Sequence, residues 1–104
     1  MRIVYAPRAL RDIDEILAYI HKRSPRGAHA VSLAIEYSIQ MCAVNPRAAA
    51  KTDEPNVYRR PIGKYRYTIF YRTSGGDEGI EIARVIHGAR VMDLRKIPDD
   101  EERN

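Results

Sequence analysis

The chain has a single cysteine, Cys42, among 104 residues. One cysteine excludes an internal disulfide framework and a cysteine-built metal cluster, and it fits a reducing compartment. No run approaches the ~18 apolar residues that a membrane-spanning helix needs. The opening MRIVYAPRAL has no apolar core behind its basic start, so no signal peptide is expected there. Acidic residues are scarce in one stretch. Residues 57–96 carry nine Lys or Arg against Asp77, Glu78, Glu81 and Asp93, whereas residues 97–104 carry Arg103 against four acids. The basic excess is therefore local, of the kind that meets nucleic acid or an acidic protein surface.

What is present reads as one small domain over residues 1–97, followed by an acidic, frayed tail at 98–104. RIVYA is short and alternating, with Ile3 and Tyr5 on one face, and predicts a first strand. Pro7 suits the first position of a helix. Leu10, Ile13, Leu17 and Ile20 then recur at three and four residues, with Ile16 widening the stripe. Asp12 and Asp14 fall on the polar side, near the helix N-terminus, where the dipole favours them. Ser24-Pro25 ends this helix and starts another, Ser24 as N-cap and Pro25 as first residue. Val31, Ile35, Ile39 and Cys42 form the second apolar stripe, which ends before Asn45-Pro46. Cys42 on that stripe predicts a small buried hydrophobe.

After a polar loop, VYRRPI (57–62) predicts a strand that Pro61 limits to an edge or an end. KYRYTIFYR (64–72) is a strong strand sequence. IEIARVIHG (80–88) alternates Ile80, Ile82, Arg84 and Ile86 against Glu81, Ala83, Val85 and His87. The order β-α-α-β-β-β predicts an α+β fold in which a helix hairpin packs on one face of a small antiparallel sheet. The other sheet face is expected to stay partly open and to present Arg and Tyr.

The stretch YRRPIGKYRYTIFYR joins Arg59, Arg60, Lys64, Arg66 and Arg72 to Tyr58, Tyr65, Tyr67 and Tyr71. A purely structural strand has no need of that charge. Tyr65, Tyr67 and Tyr71 alternate and predict core filling. His87 is the titratable side chain nearest neutral pH here; it reads either as a general base or as a structural histidine closing its strand. Asp12, Asp14 and Glu15 fan apart on their helix, and His21 and His29 are isolated, so no metal and no cofactor is expected.

Taken in order, PRALRDIDEILAYI, the Ser-Pro restart, the DEP loop, RRPIGKYRYTIFYR and RVIHGAR resemble the RelE/ParE superfamily of bacterial toxins over about residues 2–92. The resemblance implies the toxin of a type II toxin–antitoxin system, with the β-α-α-β-β-β fold, a cytoplasmic bacterial setting and a role in growth arrest and plasmid stabilisation. It implies an antitoxin partner with an acidic, amphipathic C-terminal segment, docking by Leu10, Ile13, Leu17, Arg60 and Arg72. The RVIHGAR and RRPIGKYRYTIFYR forms resemble the ParE branch, which implies a DNA gyrase poison with Arg59, Arg60, Arg66, Arg90 and Arg95 as target-binding residues and no catalytic residue. The alternative is a RelE-like, ribosome-dependent mRNA endoribonuclease, with Arg59, Arg66, His87 and Arg90 as its catalytic residues. Residues 91–104 contain neither Tyr nor His, so the C-terminal proton-transfer residue frequent in that branch is missing, and Arg does not replace it because it stays protonated. A third reading is a degenerate toxin that retains only antitoxin binding.

Overall fold

Two prolines and one serine set the first half of the chain. In the computed structural model, which describes residues 2–73 and 79–88, strand β1 (Arg2–Tyr5) leads straight into helix α1 (Pro7–His21), with Pro7 at the first helical turn. Helix α2 (Pro25–Val44) begins with Pro25 behind Ser24, whose Oγ accepts the Gly27 N–H at 2.9 Å. This is the cap the sequence predicts, and it satisfies one of the free amides of the first turn.

The second half supplies β2 (Ala50–Lys51), β3 (Val57–Pro61), β4 (Tyr67–Thr73) and β5 (Gly79–His87). The sheet order is β1-β5-β4-β3-β2. The last three strands are antiparallel neighbours, as expected, but β1 lies parallel to β5, with Ile3 opposite Ile80. The sheet is therefore mixed and five-stranded, correcting the all-antiparallel expectation. Strand β2 is only two residues long and shows no alternation by which to find it. A glycine is needed where β1 meets β5, because a Cβ on Gly79 would lie 2.4 Å from the Arg2 carbonyl oxygen.

The helices cover one sheet face. Ile35, Ile39 and Cys42 of α2 pack with Ala9 of α1 onto Tyr58, Ile69, Tyr71, Ile80, Ile82 and Val85. The spacing within β5 breaks the predicted alternation. Phe70 pairs with Arg84 but Tyr71 pairs with Ile82, so Ala83 is an extra, bulged residue. The bulge turns Val85 rather than Arg84 toward the helices and sends Ile86 to the opposite face.

That opposite face is not bare. Val57, Phe70, Ala83 and Ile86 form a second, buried apolar cluster there, while Arg59 on the same face stays exposed. Arg72 and Glu81 pair across adjacent strands, Nη1 to Oε1 at 3.1 Å. Among the described residues no helix is long and apolar enough to cross a membrane.

Asp12, which the helix pattern assigns to solvent, is buried instead. Strand β1 stops at Tyr5, beside Ile82, and the next free amide on that edge of β5 belongs to Val85. Asp12 Oδ2 accepts it at 3.0 Å. The same carboxylate takes Arg84 Nε at 2.7 Å and Nη2 at 3.2 Å, and Arg8 Nε lies 3.2 Å from Oδ1.

Candidate functional site

The basic residues gather at the β3–β4 end of the sheet. Strand alternation places Arg59 with Val57 on the face away from the helices. It places Arg60 with Tyr58 on the helix-covered face. Pro61 ends β3, and Gly63 takes a positive φ of 47° in the connection to β4, a conformation that glycine enters freely. Arg59 is exposed and Arg60 partly covered. Two cavities flank this end. One of about 460 Å³ has an apolar floor of Phe70 and Ile86, with Arg59 and Thr68 on its walls. The other, about 430 Å³, is lined by Arg59, Arg60, Pro61, Gly63, Ala49 and Ala50. Arg59 thus borders both.

Arg66 is exposed at the same end, and its carbonyl accepts the Gly88 N–H, tying the close of β5 to the start of β4. Lys64 Nζ sits 5.7 Å from the centre of the Tyr65 ring. Arg59, Arg60 and Arg66 therefore share one end of the molecule. Arg90 and Arg95 lie outside the described residues, as does the tail at 98–104.

His87 closes β5. It lines a third cavity, about 540 Å³, between α1 and the ends of β4 and β5, together with Asp12, Glu15, Tyr19 and Tyr67. Its ring meets Tyr67 edge-on, centroids 5.6 Å apart at 88°. Neither cavity at the basic end has His87 in its described lining, but Arg66 adjoins His87: Tyr67 is the cross-strand partner of His87, and the Gly88 N–H donates to the Arg66 carbonyl. No cluster of His, Cys, Asp or Glu able to hold a metal ion occurs among the described residues.

Beneath the basic end lies a buried polar knot. Tyr71 stacks on Tyr58, centroids 5.6 Å apart, and donates its hydroxyl to the Pro46 carbonyl at 2.6 Å. Burial pushes the Tyr71 phenol well above its ordinary value, and it pushes the Cys42 thiol up to about 11. Both stay protonated at neutral pH. Of the three tyrosines expected in the core, Tyr71 is fully buried, while Tyr65 and Tyr67 pack partly buried against it.

The residues assigned to antitoxin docking divide. Leu10 is half exposed, whereas Ile13 and Leu17 already pack against the core. Arg72 is engaged with Glu81 on the far face. Sequence reasoning passed over a second apolar stripe on α2, where Leu33, Tyr37 and Val44 are 53%, 64% and 74% exposed. Their spacing of four and seven places them on one helical face, opposite the core stripe. That spacing was the available signal, masked because α2 is apolar on its inner side as well.

The ParE toxin family of type II toxin–antitoxin systems, parDE, matches residues 3–92. The solved chromosomal ParDE TA system from P. aeruginosa contains a chain that superposes with a TM-score of 0.70 at 20% identity, over 84% of this chain and 95% of that one. No curated protein sequence matches. The family match spans both helices and all five strands, including the basic β3–β4 end, and this chain belongs to the ParE toxin family.

Proposed function

We propose that the chain acts in the bacterial cytoplasm as a growth-arresting toxin that captures DNA gyrase, and that an acidic, amphipathic antitoxin segment neutralises it. Membership of the ParE family supports the toxin role, and the ParDE neighbour supports the fold in which it is exerted. The observation that carries the choice of a binding poison over a nuclease is the ParE family match over residues 3–92, beside the absence of Tyr and His from residues 91–104. RNA cleavage needs a base beside the phosphate clamp. The basic end offers guanidinium groups and a lysine, which hold anions but do not shuttle protons at neutral pH. Arg59, Arg60 and Arg66 are the target-binding residues in this reading. Leu10 and the exposed α2 stripe are the apolar surface for the antitoxin.

The test is a supercoiling assay with purified gyrase and antitoxin-free toxin, run beside ribosomes programmed with mRNA. Blocked supercoiling with accumulated cleaved-DNA complexes and intact mRNA is the expected result. Cut mRNA with unaffected gyrase would replace this reading with the endoribonuclease. Inactivity in both assays, with normal growth on unneutralised expression, would leave only antitoxin binding.

A further inference from the structure

Arg60 stands where the alternation of its strand calls for an apolar side chain. Tyr58 and Ile62, two residues to either side, are buried against the helices, and its cross-strand partner Ile69 is fully buried. A cation in that register is costly unless something pairs it. Nothing described does. The Arg60 Nε is buried with no hydrogen-bond partner. The ion pairs among the described residues join Arg8 and Arg84 to Asp12, and Arg72 to Glu81. The groups that feel its charge are the Cys42 thiol and the Tyr71 phenol. Burial raises both pKa values and the guanidinium offsets only part of the rise, so neither becomes its counter-ion.

The space beside Arg60 is open, and its charged lining is basic. The cavity of about 430 Å³ is walled by Ala49, Ala50, Pro61 and Gly63, with Arg59 at its border, and no acidic side chain among the described residues lines it. We propose that this cavity receives one carboxylate side chain, Asp or Glu, from a protein partner, held by the Arg60 guanidinium. The planar fork of an arginine matches the two oxygens of a carboxylate. That guest supplies an acceptor for the buried Nε of the half-buried Arg60, the condition under which buried polar groups are tolerated. A nucleic-acid phosphate suits Arg59 better. That residue is exposed and sits at the border of both cavities, where a backbone of sugar and phosphate can reach it.

The inference deepens the antitoxin reading and rests on it only for the source of the carboxylate; it moves Arg60 from the target-binding set to the antitoxin and leaves Arg59 and Arg66 to the target. The side-chain Nε–Hε resonance of Arg60 in the ¹⁵N-labelled chain, assigned through Arg60→Lys, reports directly on the site. The probes are a short Glu-Ala peptide, its Gln-Ala counterpart, inorganic phosphate and a short single-stranded oligonucleotide, all at one ionic strength. The expected result is a saturable downfield shift with the Glu peptide alone. Arg60→Lys keeps the charge but loses the fork, and should weaken binding of that peptide by about tenfold. An Arg60 resonance that follows phosphate or the oligonucleotide would overturn the proposal, as would one that responds equally to the Gln peptide. Glu-peptide binding that leaves Arg60 Nε unmoved would overturn the site while leaving an acidic partner standing. No binding of the Glu peptide would overturn the site, and the antitoxin reading would then be judged separately by neutralisation of toxicity.

Discussion

Asp12 and Arg84, 72 positions apart, are joined at two points: Nε to Oδ2 at 2.7 Å and Nη2 to Oδ1 at 3.2 Å. The carboxylate also accepts the Val85 amide, so a side chain of α1 continues the edge of β5 where β1 has run out. Removing one partner of a buried pair costs more than the pair itself contributes, because the other charge is left uncompensated. Asp12→Ala should therefore lower the unfolding free energy by about 3 kcal/mol. Asp12→Asn keeps an oxygen for Val85 and should cost less. Urea titrations at neutral pH measure both, and a loss below about 1 kcal/mol for the alanine variant would place the pair among ordinary surface bridges.

Gly79 faces the Arg2 carbonyl so closely that a methyl group cannot fit without moving β1. Gly79→Ala should destabilise the fold by about 1–3 kcal/mol, the usual cost of overpacking. The amides of residues 3–5 should exchange with solvent faster in hydrogen-exchange measurements. Unchanged protection there would show that β1 shifts at no cost.

The buried Cys42 and Tyr71 make stability depend on alkaline pH. Burial raises the thiol from its ordinary 9.0 to about 11 and raises the phenol as well. Between those values the unfolded chain has released a proton that the folded chain still holds. Stability is therefore complete below about pH 9 and falls as pH rises toward 11. The urea midpoint should be lower at pH 10 than at pH 8, and Cys42→Ala should flatten that slope. Iodoacetamide should label native Cys42 only slowly at pH 8, since the thiolate is the reactive form. Rapid labelling there would contradict the assigned burial.

The proposed function weighs Arg59 and His87 differently: Arg59 is exposed at the basic end, whereas His87 packs edge-on against Tyr67. Arg59→Glu should abolish gyrase inhibition without altering the thermal unfolding midpoint by more than a few degrees, because the side chain is exposed. His87→Ala should keep most of the inhibition. The reverse pattern, loss with His87→Ala and retention with Arg59→Glu, would direct attention to the third cavity instead.

Most of the fold was legible because its signals are local. Pro7, Ser24-Pro25 and the three-and-four spacing of α1 and α2 fixed both helices to within two residues. What escaped was non-local. The parallel seating of β1 depends on Gly79 meeting Arg2 across the whole chain, and no periodicity encodes that. The bulge at Ala83 broke the period-two reading of β5 and moved Val85 and Ile86 to the faces opposite those assigned. Asp12 looked like a solvated helix charge because its partners, Arg84 and the Val85 amide, come from the far end of the sequence. At the site, the composition of residues 58–72 shows that basic and aromatic residues are concentrated there. It did not say that Arg60 would point toward the helices and Arg59 away, which follows from the register of β3 against β4.

The pairing of Ile3 with Ile80 also sets when the protein can exist during its own synthesis. The first strand emerges from the ribosome with no neighbour and waits until residues 79–82 have followed. Such a long-range closure is slow relative to local helix formation. A prematurely terminated product that ends before Gly79 lacks both the strand that seats β1 and the amide that seats Asp12. The cell is thus exposed to the folded molecule only after nearly every described residue has been translated.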